Sequence, residues 1–168
     1  MSSFAEIVLC IRVEALRLPG ASSRMDLGIE HGARVKRQEA DVIQIQSSGE
    51  TAQTVARLEH AISERHLRVV AVVSHGNAAR KVGLELRPTT LVIFGNPPLG
   101  TRIMKMNQLA GLSLPIQMLV WQGARNRTWV SYTALVAFAR RYELLADAPP
   151  IWAMGSALGA IAAEAAGH

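Results

Sequence analysis

The segment LVIFGNPPLGTRIM, Leu91 to Met104, confines the backbone more tightly than any other part of the chain. Leu91 to Phe94 reads as a strand, and Gly95 ends it. Asn96 is a natural helix N-cap, and Pro97 falls at the first helical position, where the missing amide needs no intrahelical partner. A strand end and a helix start must therefore sit side by side at this turn. The surrounding sequence extends the pattern. VIQIQ after Asp41 alternates as a half-buried strand does. Ser47 and Glu50 have capping-box spacing ahead of a helix whose Val55, Leu58 and Ile62 share one face. LRVVAVVSH is a continuous apolar run ending at His75, which predicts a strand buried on both faces. Asn77 is expected to cap a short helix that Gly83 closes, with Pro88 ahead of the strand Thr89 to Phe94. LPIQMLVWQ and RTWVSY, separated by GARN, form a predicted hairpin. One helix is expected from about Ala134 to Tyr142 and a last one after the DAPP break. This order of elements predicts an α+β domain with a mainly antiparallel sheet of about five strands.

At 168 residues and 49% apolar, the chain can bury one core without disulfides or metals. Cys10 stands alone, so no internal bridge is available and a reducing, cytoplasmic setting is expected. Glu6 stands where a secretory signal would be basic, and the apolar run Ile7 to Ile11 is short for such a signal. No membrane span is expected either, because the apolar C-terminal stretch is interrupted by Glu164 and reads as a packed helix. Residues 1–40 mix charges of both signs with the breaker PGASS and read as an N-terminal extension, leaving 41–168 as the domain. Met25 is an alternative start, in which case residues 1–24 are not translated. The net charge of +5 invites a nucleic-acid reading. Its clusters are small, however: Arg34 with Lys36 and Arg37, Arg80 with Lys81, and Arg140 with Arg141. None is interleaved with stacking aromatics, which argues against that partner.

Gly95 and Gly100, with Thr101 after them, superficially match a phosphate-cradling loop. That loop needs successive backbone donors and a lysine after its second glycine; Pro97 and Pro98 each remove a donor, and Thr101 occupies the lysine position. The mismatch argues against nucleotide hydrolysis. Asn96 and Thr101 still offer polar groups at a helix N-terminus, which favours a small anionic or carbonyl ligand. The competing reading is structural, with Asn96 serving only as a cap. His75 ends a strand where side chains commonly reach a cleft. Nucleophilic catalysis wants Ser or Cys beside it, but Ser74 falls on the opposite strand face. No further ligands stand at readable spacing from His75, so no metal site is expected. A haem held by His75 with Met104 or Met118 is weighed against methionine as ordinary core filler. Tyr132 closes the hairpin and can donate a hydrogen bond into the same cleft, while Trp121 and Trp129 read as packing residues. The expectation is one mostly apolar pocket lined by His75, Asn96 and Thr101, with Tyr132 at its edge.

From about Val42 to Ala166 the chain resembles the domain-of-unknown-function family numbered 302. The likeness rests on ETAQTVARLEHAI, SHGNAARKVGLELRPTTLVIFGNPPLGTRIM, AGLSLP, MLVWQ and TWVSY. It implies an α+β sheet with helices on one face, a TATA-binding-protein-like arrangement, and a homodimer; it implies no activity. It also implies acidic residues at three places where this chain has Ser74, Ser113 and the run Thr133, Ala134 and Leu135. Acid–base or metal chemistry that depended on those carboxylates is expected to be absent. Two functions are therefore anticipated. The first is a cytoplasmic small-ligand or partner-binding domain, ligand and cofactor unidentified, with its pocket around His75 and the Gly95–Thr101 turn. The second is a small enzyme using His75 as general acid or base.

Overall fold

The computed structural model describes residues 41–168. The N-terminal extension expected over residues 1–40 lies outside the described residues. Five strands, β1 (Val42–Gln46), β2 (Arg68–Ser74), β3 (Thr89–Gly95), β4 (Ile116–Gln122) and β5 (Thr128–Thr133), form one sheet in the order β1-β5-β4-β3-β2. Every neighbouring pair is antiparallel. The helices are α1 (Thr51–Glu64), α2 (His75–Lys81), α3 (Pro97–Met106), α4 (Leu135–Arg141) and α5 (Pro149–Ala166), with a 3-10 segment at Gln108–Ser113. The fold is the α+β arrangement the element order predicts.

Strand alternation decides which face the helices cover. Val92, Met118 and Tyr132 lie opposite one another across β3, β4 and β5, and all three are buried. Leu58 and Ile62 of α1 and Ile151, Leu158 and Ile161 of α5 close over this row to complete the core. Successive strand residues point to opposite faces, so Leu91, Leu119, Trp121 and Trp129 lie on the other one, where they are half-buried. There Trp121 and Trp129 stack across the hairpin with centroids 6.4 Å apart, Arg127 lies over the Trp129 ring, and Trp121 Nε1 donates to Ser131 Oγ at 2.8 Å. Such cross-strand aromatic pairs contribute about 0.5–1.5 kcal/mol beyond their burial, consistent with a packing role.

Several local expectations are corrected. β2 is not buried on both faces: it is an edge strand paired only with β3, and Val70 is 58% and Val72 45% exposed. A run of apolar residues looks the same whether a strand lies inside a sheet or carries a bulge at its edge. Here the register shifts between Val69 and Ala71, so the alternation resets within the run. Ser47 does not cap α1. Glu50 is the N-cap, with its amide donating to Gln53 Oε1, while buried Ser47 exchanges a 2.7 Å hydrogen bond with Thr54 Oγ1. Helix α2 starts earlier than Asn77 allows: Ser74 is its N-cap, its Oγ accepting from the Asn77 amide, and His75 is the first helical residue. Gly83, at φ +75, closes that helix as anticipated. The 3-10 segment has no counterpart in the sequence reading. Asn107 holds it, accepting from the Leu109 amide and donating to the Tyr142 carbonyl at 2.8 Å.

Candidate functional site

The turn after β3 forms as its residues dictate. Asn96 is the N-cap of α3, its Oδ1 accepting from the Leu99 amide at 3.1 Å, and Pro97 and Pro98 open the helix. Below this turn lies a cavity of about 280 Å3. Arg68 and Val70 bring the first residues of β2 to it, Gly95 to Pro97 supply the turn, and Leu99 to Thr101 with Ile103 and Met104 supply the inner side of α3. Leu114, Pro115 and Ile116 enter from the approach to β4, and Met154 closes the floor from α5. The lining is almost wholly apolar. Ile103 is fully buried and Met154 nearly so, which fixes the floor by packing. Arg68, exposed at the rim, is the one charged lining residue; the polar side chains are Asn96 and Thr101. A Cβ built on Gly100 would meet nothing within 4 Å, so this glycine leaves space open along the helix.

The expectation that the α3 N-terminus favours an anion is not met by its backbone. Pro97 and Pro98 carry no N–H, the Leu99 amide is taken by Asn96 Oδ1, and the Gly100 amide bonds the Asn96 carbonyl at 2.9 Å. The first turn thus has no amide left to donate.

Of the residues expected to share a pocket, Asn96 and Thr101 do line this cavity together. His75 does not. Arg68 pairs with Gly95 and Ser74 with Thr90, so the end of β2 lies at the opposite end of β3 from Asn96. At about 3.4 Å per residue, His75 and Asn96 stand roughly 20 Å apart along the sheet. The adjacency of the strands was legible; their opposed direction reverses the conclusion. His75 is exposed, and Ser74 beside it is occupied in capping α2. The haem alternative fails on the same geometry, since Met104 lines the far cavity and Met118 is fully buried in the core. No group of three or more metal-ligating side chains occurs among the described residues.

Tyr132 is buried and lines a second cavity of about 260 Å3, with Ser113, Gln117, Thr133 and Arg141 among its neighbours. The two cavities share Ile116 and Met154, which form the partition between them. Burial raises the Tyr132 hydroxyl above the ordinary tyrosine value of 10.0. Ser113, which bonds the Tyr142 hydroxyl, and Thr133 both reach this second cavity, whereas Ser74 lies at the far end of the sheet. Of the positions implied to carry acids, Ser113 lines this cavity and is neutral here, with Thr133 and Leu135 of the third run beside it.

The sequence reading missed Arg68, Val70, Leu114, Pro115 and Met154 as lining residues. Arg68 left a trace, being the one charged residue within the apolar run that becomes β2. Met154 left none, because its place depends on how α5 crosses the sheet.

The family model described as "Domain of unknown function DUF302" matches residues 43–159. The chain belongs to the DUF302 family. The crystal structure of an uncharacterized conserved DUF302 protein from Bacillus stearothermophilus superposes on this DUF302 domain with a TM-score of 0.67. It covers 74% of this chain and 97% of that one at 19% identity, a likeness of fold. Among curated proteins, the chain is 32% identical over 130 residues to fluoride-specific ion channel FluC 1 of Brucella suis, covering 77% of this chain and 51% of that protein. The FluC 1 protein of Brucella abortus and the FluC 2 protein of Brucella melitensis match at 32% over 130 residues, each with 48% of its length covered. The chain spans about half the length of the curated relatives it matches.

Proposed function

We propose that this DUF302 domain binds a small, largely apolar molecule in the cavity beneath the Gly95–Thr101 turn. The observation that carries the reading is a preformed cavity of about 280 Å3, walled by hydrophobic side chains with a few polar groups at its rim. Ligand sites have this make-up, an apolar body of the pocket with a small number of placed polar groups. Asn96 serves the turn and the cavity at once, so the capping role and the binding role do not compete. The uncovered sheet face and the exposed edge of β2 support a second copy of the chain as partner. Native mass spectrometry of freshly purified protein tests both parts: a retained mass lost in a Gly100→Leu variant is expected, together with a dimer. Absence of any retained or added apolar molecule by this and by titration would overturn the binding reading.

The alternative, a small enzyme using His75 as general acid or base, lacks an orienting partner. His75 accepts or donates no side-chain hydrogen bond among the described residues, and the cavity that Asn96 lines does not include it. The channel activity in the names of the Brucella relatives is not what this reading assigns to the present chain. The described residues supply a cavity, and no helix among them is long and apolar enough to cross a membrane.

A further inference from the structure

Resting on the binding reading, we infer that the ligand of the cavity is an amphipathic monocarboxylate, a straight acyl chain in the apolar interior with its carboxylate at Arg68. The polar groups at the rim select for an acceptor. Asn96 Oδ1 already accepts from the Leu99 amide, whereas its Nδ2 makes no hydrogen bond among the described residues and is open to donate to a ligand. Thr101 adds a hydroxyl that makes no hydrogen bond among the described residues, and Arg68 adds a guanidinium with no ion pair among them. Two of these three groups only donate, and no acidic side chain lines the cavity. An ammonium or guanidinium ligand would find a like charge and no anionic acceptor. A carboxylate finds a planar, forked donor suited to it. A phosphate head is less suited, because the amides of the α3 first turn, the usual phosphate donors, are absent or occupied. The interior completes the selection. Leu99, Ile103, Met104, Ile116 and Met154 offer no polar atom to a second functional group, so the rest of the molecule is hydrocarbon.

The test is calorimetric titration of the full chain with straight-chain carboxylates from butanoate to dodecanoate, and with octan-1-ol as the uncharged control. Affinity for the acids is expected to rise about fourfold per methylene until the cavity is full, and then to level. Octan-1-ol should bind about fivefold more weakly than octanoate, and Arg68→Gln should lower octanoate to the level of the alcohol while leaving the alcohol unchanged. Gly100→Leu, which fills open space, should abolish both. Equal binding of acid and alcohol, unmoved by Arg68→Gln, would overturn the carboxylate inference and leave the apolar cavity standing. If neither series binds the wild-type chain, the cavity is not a ligand site and both readings fall.

Discussion

The junctions that follow β2 and β3 are built alike and end differently. Each passes from a strand through a polar N-cap, Ser74 or Asn96, directly into a helix. The α3 junction closes over a cavity with Ile103 and Met154 packed beneath it, whereas the α2 junction leaves His75 and Asn77 in solvent. The cap signal therefore marks where a helix begins and is silent on whether anything lies under it. What makes one junction a site is supplied from elsewhere in the chain, by Arg68, Leu114 to Ile116 and Met154.

The contrast breaks most readily in the packing. Ile103→Ala, beneath the α3 junction, should cost about 2–5 kcal/mol in urea unfolding, against His75→Ala within about 0.5 kcal/mol. Comparable costs would mean that the two junctions are packed alike. Next comes Gly95→Val. A Cβ there meets Pro115 Cβ at 3.4 Å, so the larger side chain should destabilise by about 1–3 kcal/mol and shrink the cavity. An unchanged unfolding midpoint would show that Pro115 yields. The caps give a finer comparison: Asn96→Ala should cost about 1 kcal/mol, and Ser74→Ala, on a short exposed helix, about 0.5 kcal/mol. If Asn96→Ala instead leaves stability unchanged and abolishes retention of an apolar ligand, Asn96 acts through the ligand alone.

The smallest expected effect is titration of Tyr132 in the wall of the second cavity. The folded value of Tyr132 is raised above 10.0, so its contribution to stability is fully present below that pH. It is lost as pH rises through the folded value, because the unfolded chain then gives up a proton that the folded chain keeps. Stability measured from pH 9 to 11 (about the range bracketing the tyrosine value) should fall with pH, and Tyr132→Phe should flatten the decline. An equal slope in both proteins would assign it to other groups.

Most of the fold was legible because its signals are local. VIQIQ alternates, Asn96 and Pro97 cap and open α3, and GARN turns the hairpin, while the prolines of DAPP, expected as a break ahead of the last helix, are instead the first two residues of α5. The position of β2 was not, since a sheet order is a fact about partners distant in sequence, and VVAVV carries the same apolar content inside or at an edge. The site was half legible for the same reason. Asn96 and Thr101 lie on one short segment and reach the cavity together, while His75 was misplaced by the direction of a neighbouring strand. Arg68 and Met154 stand 86 residue numbers apart and meet only through the packing of β2 and α5.

The bulge in β2 has a consequence for electrostatics. With the shift between Val69 and Ala71 in place, Arg68 is the residue opposite Gly95. A regular ladder continued from Ala71 opposite Ile93 would set Val70 against Phe94 and Val69 against Gly95, moving Arg68 one step along to face Asn96. One surplus residue in an outermost strand, bonded on a single side, thus decides whether the entrance presents a positive charge or a hydrocarbon branch. Charge preference at the entrance is in this sense a property of strand register, open to change by a single deletion that touches no residue of the turn.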